Sequence, residues 1–343
     1  MNYDLAYAFL SKLSSKKIGN AFKLYGSYFL SKWTKRNFHM GMPMSLAIEP
    51  TTSCNLRCPQ CPSGLRSFTR ETGMLEKNVY EKAIDELHPY LTHLTFYFQG
   101  EPYLNPNFLA MVKYAHEKKI FTHTSTNAHF LDEKKSRETV QSGLNQIIIS
   151  IDGMTEENYK KYRIGGSLEK VIEGTKNLSQ AKNELKSKTP HVVWQFIAFE
   201  HNLHEIPLAK KMAKKYGVNE LKIKSAQIYD FENGNDLIPK KSKWSRYQKI
   251  GEHYVIKNKM LNHCWRMWQS AVITWDGNMV PCCFDKDAKY TMGNTLQTEI
   301  KNIWENPQYQ SFRNLILKSR KNIDICKNCT EGTKIWRNNL AAE

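Results

Sequence analysis

Glu49-Pro50-Thr51-Thr52-Ser53-Cys54-Asn55-Leu56-Arg57-Cys58-Pro59-Gln60-Cys61 is the stretch around which the rest of the sequence is organised. It spaces three cysteines as C-x3-C-x2-C, close behind an apolar run, Ser45-Leu46-Ala47-Ile48, that reads as a strand. Three thiolates on one loop can hold three irons of a [4Fe–4S] cube and leave the fourth iron open. A structural zinc site would want four ligands from paired knuckles, and only three thiols are near. A disulfide would leave one thiol over, and such tight neighbours bridge poorly. The cube is the reading that uses all three.

Outward from this loop the chain alternates strand and helix. Strands are expected at Leu94–Phe98, Phe121–Ser125, Gln146–Ile151, Val192–Phe199 and Glu220–Lys224. Helices are expected at Leu75–Leu87, Phe108–Lys118, Lys134–Ser142, Glu156–Tyr162, Leu168–Lys186 and Ile206–Tyr216. Repeated βα units imply a parallel sheet with right-handed crossovers, and six of them make a partial (β/α)6 barrel. In such barrels chemistry sits where strands end and loops begin. Polar residues do gather there: the three cysteines after strand one, Gln99-Gly100-Glu101-Pro102 after strand two, Thr126-Asn127 after strand three, Ser150 and Asp152-Gly153 after strand four.

Beyond residue 225 the pattern breaks. Residues 226–263 read as a linker, polar and turn-rich at first, with Lys241–Lys259 basic and partly helical. Cys264, Gly277 and Cys282 then form C-x12-G-x4-C, and Cys326 and Cys329 add C-x2-C. Asp276-Gly277 lies between Val272–Trp275 and Met279-Val280, a hairpin signal that brings Cys264 and Cys282 near one another. A helix at Ile303–Leu317 returns the chain to Cys326 and Cys329. Four thiolates close a site completely, and either a second cube or zinc would satisfy them. Cys283 is spare in this count and could exchange with Cys282.

The first cysteine loop resembles that of the radical S-adenosylmethionine (radical SAM) superfamily. The resemblance implies a cube whose open iron is chelated by SAM, reductive cleavage of SAM to methionine and a 5′-deoxyadenosyl radical, and hydrogen abstraction from a substrate. It implies an electron donor such as flavodoxin or ferredoxin. Gln60 stands where the family usually has an aromatic residue. Gln99-Gly100-Glu101-Pro102 resembles a Gly-Gly-Glu-Pro motif, so Gly100 would allow a close backbone and Glu101 would accept from the SAM ammonium. Thr126-Asn127-Ala128 is similar to Thr-Asn-Gly, with Ala128 strained if that site needs positive φ. Ser150-Ile151-Asp152-Gly153 is similar to the stretch beside the SAM carboxylate and ribose, and Arg163 looks like the arginine that pairs with that carboxylate. Ordinary roles compete: a turn at Asn127, a loop start at Asp152, a solvated Arg163.

The C-terminal pattern is similar to the SPASM/twitch extensions of that superfamily, and enough cysteines remain for one auxiliary [4Fe–4S] cluster. The implied architecture is a helical N-terminal extension (1–43), the partial barrel (44–225), the linker (226–263) and a small α+β twitch-like domain (264–343). The implied activity is oxidation or peptide modification of a small-molecule or peptide substrate, oxidoreductase in type. A non-catalytic iron–sulfur electron carrier and a nucleic-acid-modifying protein are the rivals.

Hydrophobic content of 41% with 12% aromatic residues in a chain of 343 indicates a globular core. No apolar run reaches the ~18–20 residues of a membrane span, and no signal-peptide pattern is seen, so a cytoplasmic protein is expected. There, eight cysteines suggest metal ligation over disulfides. The net charge of +17 attracts anions. Its lysines are scattered and no nucleic-acid motif accompanies them, so nucleic acid is not favoured. Residues 1–43 are different. Leu5, Phe9 and Leu13, then Phe22, Phe29 and Trp33, mark an apolar face between many lysines. This extension either packs on the barrel or lies on an anionic membrane surface.

Overall fold

The computed structural model describes residues 3–257 and 259–330; the expected C-terminal domain's residues 331–343 lie outside these. In chain order, helices α1 (Tyr3–Leu10) and α2 (Ser15–Thr34) precede strand β1 (Ser45–Ile48). The short turn α3 (Pro62–Leu65) and α4 (Lys77–Leu87) lead to β2 (His93–Thr95), α5 (Phe108–Glu117), β3 (Phe121–Thr126), α6 (Glu133–Gln141) and β4 (Gln146–Ser150). Then follow α7 (Glu156–Tyr162), α8 (Leu168–Glu184), β5 (His191–Ala198), α9 (Ile206–Lys215) and β6 (Glu220–Ser225). The remainder holds β7 (Tyr247–Ile250), β8 (His253–Ile256), α10 (Trp265–Gln269), β9 (Ser270–Ile273), β10 (Asn278–Val280), β11 (Gly293–Asn294), α11 (Ile300–Trp304) and α12 (Pro307–Ser319).

The chain divides into two compact units. One takes the chain up to Ser53, Phe68–His123 and the described residues from Met260 on. In it β1 pairs in parallel with β2, and β2 with β3. The other edge of β1 pairs in parallel with β9, from Ser45 opposite Ser270 to Ile48 opposite Ile273. β9 turns back into β10 as an antiparallel hairpin, so the C-terminal hairpin extends the same ladder. Its turn needs Gly277, at φ 83°. The core is built of Leu46, Ile48, Leu94, Phe96, Ala83 and Ile84, each fully buried.

The second unit takes Cys54–Ser67 and Thr124–Lys259. β4, β5 and β6 run parallel, with Ser150 opposite Gln195 and Gln195 opposite Lys222. Ile147, Ile148 and Ile149 are all buried, so β4 is covered on both faces, as a parallel strand should be. Its helices start on side-chain caps: Asp132 accepts from Lys135 N, Thr155 from Asn158 N and Ser167 from Lys170 N.

Three expectations change. Lys241–Lys259 is not partly helical beyond one 3-10 turn; it is the β7–β8 hairpin, turning at Gly251 with φ 59°, the residue a II′ turn takes first. Tyr247 anchors it, stacked on Phe231 at 4.5 Å. Residues 226–263 thus do more than connect: Ile228, Ile238 and Tyr247 are core. The helix expected at Ile303–Leu317 is two helices, because Asn306 caps a new start at Pro307. Finally, the apolar face of the N-terminal extension splits: Phe9 of α1 packs inward, stacked on His93 at 4.7 Å, but the apolar side of α2 does not face inward. Phe22, Phe29 and Trp33 are exposed, and α2 packs instead through Asn20, Leu24, Ser27, Tyr28 and Ser31. No described helix is long and apolar enough to cross a membrane.

Candidate functional site

The end of β1 is fixed before the first cysteine arrives. Glu49 is fully buried and takes both Arg70 guanidinium nitrogens, at 2.5 and 2.9 Å, and the Trp275 N–H at 3.3 Å. Burial pushes its carboxyl up, against the pull of Arg70. The Pro50 carbonyl accepts from Leu75 N and Asn105 Nδ2, and Thr52 N donates to Gly73. Gly100 (φ 73°) lies so near that a Cβ on it would be 2.1 Å from the Thr51 carbonyl oxygen. Only glycine fits there. Glu101 N donates to the Ser53 carbonyl at 2.8 Å, and its buried carboxylate accepts from Tyr103 N at 3.3 Å.

In the second unit, Cys54, Cys58 and Cys61 lie on one loop, none of them in a disulfide. They pack with Leu56, Tyr162, Phe199, Ala226 and Ile228, which form an apolar wall. Three N–H groups point at two of the sulfurs. Leu56 N is 3.4 Å from Cys54 Sγ, Asn127 Nδ2 is 4.0 Å from it, and Arg163 Nη1 is 3.8 Å from Cys58 Sγ. Burial raises the Cys58 thiol, and Arg163 pulls the other way. Asn127 also donates to Asn55 Oδ1 at 2.7 Å. Ala128 follows at φ 63°, a left-handed backbone that costs a non-glycine residue roughly 1–2 kcal/mol.

Asp152 is fully buried, and both its oxygens are engaged. Oδ2 takes Arg163 Nε and Nη2 at 2.6 and 2.5 Å, and Oδ1 takes Ile197 N at 2.6 Å. Burial raises its carboxyl while Arg163 opposes. Arg163 is therefore not a solvated surface cation; it spans Asp152 and the cysteine loop. Gly153 lets α7 come close, since a Cβ there would lie 2.4 Å from Tyr159 N. Ser150 is buried at the end of β4. Gln60, the unusual residue before Cys61, accepts from Tyr229 N at 2.8 Å and so ties the loop to the segment after β6. No local pattern signals that tie, the Asn55–Asn127 bond or the Glu49–Arg70 pair.

The second cysteine set is organised by a residue that sequence reasoning missed. Arg320 is buried, with Nη2 at 3.3 Å from Cys329 Sγ and Nη1 donating to the His263 carbonyl at 3.1 Å. Burial opposes its charge, yet Cys264, Cys329 and Cys326 hold its pKa up. Cys282 is pushed up by its hydrogen bond with Cys283, by burial, and by Cys264 and Cys329 nearby. Cys264, Cys326 and Cys329 thus face one buried cation, and Cys282 lies near Cys264 and Cys329. Cys283 is hydrogen-bonded to Cys282 and also packs with Phe98, Val272 and Val280, 4.0 Å from Arg266 Nη1. Among the described residues no three of His, Cys, Asp and Glu converge as one metal ion requires. A cube takes one thiolate per corner iron, so its ligands stand apart. N–H donors and a cation beside sulfur suit an anionic cluster at either set.

A parallel βα scaffold with thiols on its first loop and a second thiol set near its C-terminus defines an iron–sulfur protein of the barrel class. The family model of the radical SAM superfamily matches residues 48–194, and that of the SPASM iron–sulfur cluster-binding domain matches residues 264–330. The chain belongs to the radical SAM superfamily, is an enzyme of it, and has the partial (β/α)6 barrel fold with a C-terminal SPASM region. SAM, a [4Fe–4S] cluster and an auxiliary iron–sulfur cluster are its cofactors. It is 24% identical over 298 residues to a Pyrococcus furiosus tungsten-containing aldehyde ferredoxin oxidoreductase cofactor-modifying protein, covering 78% of this chain and 82% of that one. It is 23% identical over 291 residues to a Niallia circulans S-adenosyl-L-methionine-dependent 2-deoxy-scyllo-inosamine dehydrogenase, covering 83% and 91%. The structure of Streptococcus suis SuiB bound to S-adenosylmethionine superimposes with a TM-score of 0.63 at 14% identity, covering 88% of this chain and 75% of that one.

Proposed function

We propose that the enzyme oxidises its substrate at a C–H bond beside a hydroxyl, as a dehydrogenase of a small alcohol. The observation that supports this is the nearness of Cys282 to Cys264 and Cys329, read as part of a closed auxiliary set. Four thiols, Cys264, Cys282, Cys326 and Cys329, would hold every iron of a cube, leaving no corner for substrate to bind. Such a cluster can take an electron but cannot ligate, and an electron acceptor is what an oxidation needs.

In this reading Cys54, Cys58 and Cys61 hold the SAM-binding cube. When bound, that cube supplies the electron that cleaves SAM, giving the 5′-deoxyadenosyl radical that takes hydrogen from substrate. The chain's own residues bind and orient. Glu101 accepts from the SAM ammonium, beside the close backbone that Gly100 permits. Arg163 meets the SAM carboxylate, with Asp152 holding the guanidinium in place. Asn127 and Ser150 donate from the ends of β3 and β4. The apolar wall of Tyr162, Phe199 and Ile228 keeps water out. The substrate gives up a hydrogen atom, then a proton and an electron, and becomes a carbonyl. Cys264, Cys282, Cys326 and Cys329 would hold an auxiliary cluster, which would supply the acceptor for that electron. A reduced flavodoxin or ferredoxin supplies the electron for SAM cleavage, and residues 1–43 make a peripheral contact with an anionic membrane surface.

The test is anaerobic incubation with SAM, reductant and fractionated cell extract. Deoxyadenosine and a new carbonyl compound should form in the same fraction and in equal amounts. A cross-linked peptide in that fraction, with no carbonyl, would replace the dehydrogenase by a peptide-modifying enzyme.

A further inference from the structure

Helix α2 is built inside out. A helix turns about 100° per residue, so Ile18, Phe22, Phe29 and Trp33 fall within about 60° of one another. This apolar stripe is exposed along its whole length, with Phe22 at 74% and Trp33 at 85%. The buried side, roughly opposite, is largely polar. Asn20 exchanges two hydrogen bonds with the Met42 backbone, Ser31 bonds Phe38, and Tyr28 bonds His263 Nδ1 at 2.8 Å. An ordinary surface helix has the reverse pattern. Contiguous exposed apolar surface marks a partner or a membrane.

The C-terminal half of this stripe forms one wall of a groove of about 1090 Å³, whose other wall comes from residues 260–263 and the end of α12. Four lysines line it, Lys32, Lys35, Lys318 and Lys321, and among the described lining residues there is no acid. Leu261, 41% exposed, adds an aliphatic rim. Apolar residues thus stand beside a basic pocket on one compact unit.

Resting on the peripheral contact proposed above, we propose that the outer stripe of α2 and this groove dock on the surface of an anionic phospholipid bilayer, with headgroup phosphates taken by the four lysines. Trp and Phe favour the interfacial layer, and lysines near an anionic surface each add roughly five-fold to binding. Nucleic acid would also meet lysines and aromatics. The stripe is half aliphatic at its start, however, and Ile18 and the rim residue Leu261 offer a base nothing to stack on. A stripe about 22 Å long suits a surface better than a single ligand.

The test is co-sedimentation of the full-length holoenzyme with vesicles of phosphatidylcholine alone and of phosphatidylcholine with phosphatidylglycerol. Wild type should sediment with the anionic vesicles only, and salt should release it. Replacing Phe22, Phe29 and Trp33 together with Ser, or Lys32, Lys35, Lys318 and Lys321 together with Glu, should lower binding at least ten-fold. Both sets are exposed or line a groove, and deoxyadenosine formation in the same samples should stay at the wild-type level. If these variants bind as wild type while Tyr3, Tyr7 and Leu10→Ser detaches the protein, the peripheral contact stands and this docking face is wrong. Equal binding to phosphatidylcholine alone would overturn the role of the lysines. Salt-sensitive binding to a homopolymer RNA, without vesicle binding, would overturn the membrane for nucleic acid.

Discussion

The two cysteine sets solve one problem in opposite ways. Both must place anionic sulfur beside a buried arginine. At the first set Arg163 is already neutralised by Asp152 at 2.5 Å, and touches Cys58 only at 3.8 Å. At the second set Arg320 is anchored on the His263 carbonyl, and the negative charge facing it comes from the thiols themselves. The first arrangement stands complete without a cluster and offers three ligands. The second brings Cys264, Cys326 and Cys329 to its cation, whose charge their ionised sulfurs favour. The contrast fits one cluster that must exchange a ligand and one that must stay closed.

The largest expected effect separates the sets outright. Replacing Cys54, Cys58 and Cys61 with Ala should abolish deoxyadenosine formation at every SAM concentration, and should lower iron from about eight to about four per chain. Loss of all iron in that variant would mean the sets do not assemble independently.

Next comes Arg163, which Asp152 pairs at the first set. Arg163→Gln leaves Asp152 buried without its cation, which should cost about 3–5 kcal/mol of stability, seen as a lower thermal midpoint. Adding Asp152→Asn should restore much of the loss. If the single variant is as stable as wild type, Asp152 does not carry a charge in the fold.

A smaller effect is expected at Glu101. Glu101→Gln keeps the size and one acceptor but loses the charge, so SAM binding should weaken ten- to a hundred-fold, matching roughly 1.5–3 kcal/mol for a charge-assisted bond. Both clusters should remain. Deoxyadenosine formation should fall at low SAM and partly recover at high SAM. Unchanged SAM affinity would remove Glu101 from the site.

These sites were unevenly legible in the sequence. Cysteine spacing is local, so both sets could be read from it. α7 falls at the expected Glu156–Tyr162, because a Thr cap, two acids in the first turn and a following glycine pair all lie between Thr155 and Gly166. Gly100 was legible for the same reason: a motif of adjacent residues fixes a backbone path. Arg320, the Glu49–Arg70 pair and the Gln60–Tyr229 bond were not, since each joins residues that only the fold brings together. Nor can periodicity say which side of α2 meets the core. It marks an apolar face, and here Asn20, Tyr28 and Ser31 win the packed side by hydrogen bonds. The β7–β8 hairpin was hidden by its lysines, which read as a solvated helix.

The smallest expected effect tests a strain the sequence flagged. Ala128 is held at φ 63°, where glycine pays no steric cost. Ala128→Gly should leave activity intact and raise stability by about 0.5–1 kcal/mol, after glycine's greater entropy in the unfolded chain is counted. A destabilised variant would mean that the methyl's packing, fully buried there, outweighs the strain.

The most direct measurement of the open-versus-closed contrast is electron paramagnetic resonance of the reduced protein with and without SAM, in two variants that each keep one set. With Cys326 and Cys329 replaced by Ala, the remaining cluster's signal should shift when SAM is added. With Cys54, Cys58 and Cys61 replaced, the remaining signal should be unmoved by SAM at any concentration. A SAM-induced shift at the auxiliary cluster, or none at the first, would contradict the account.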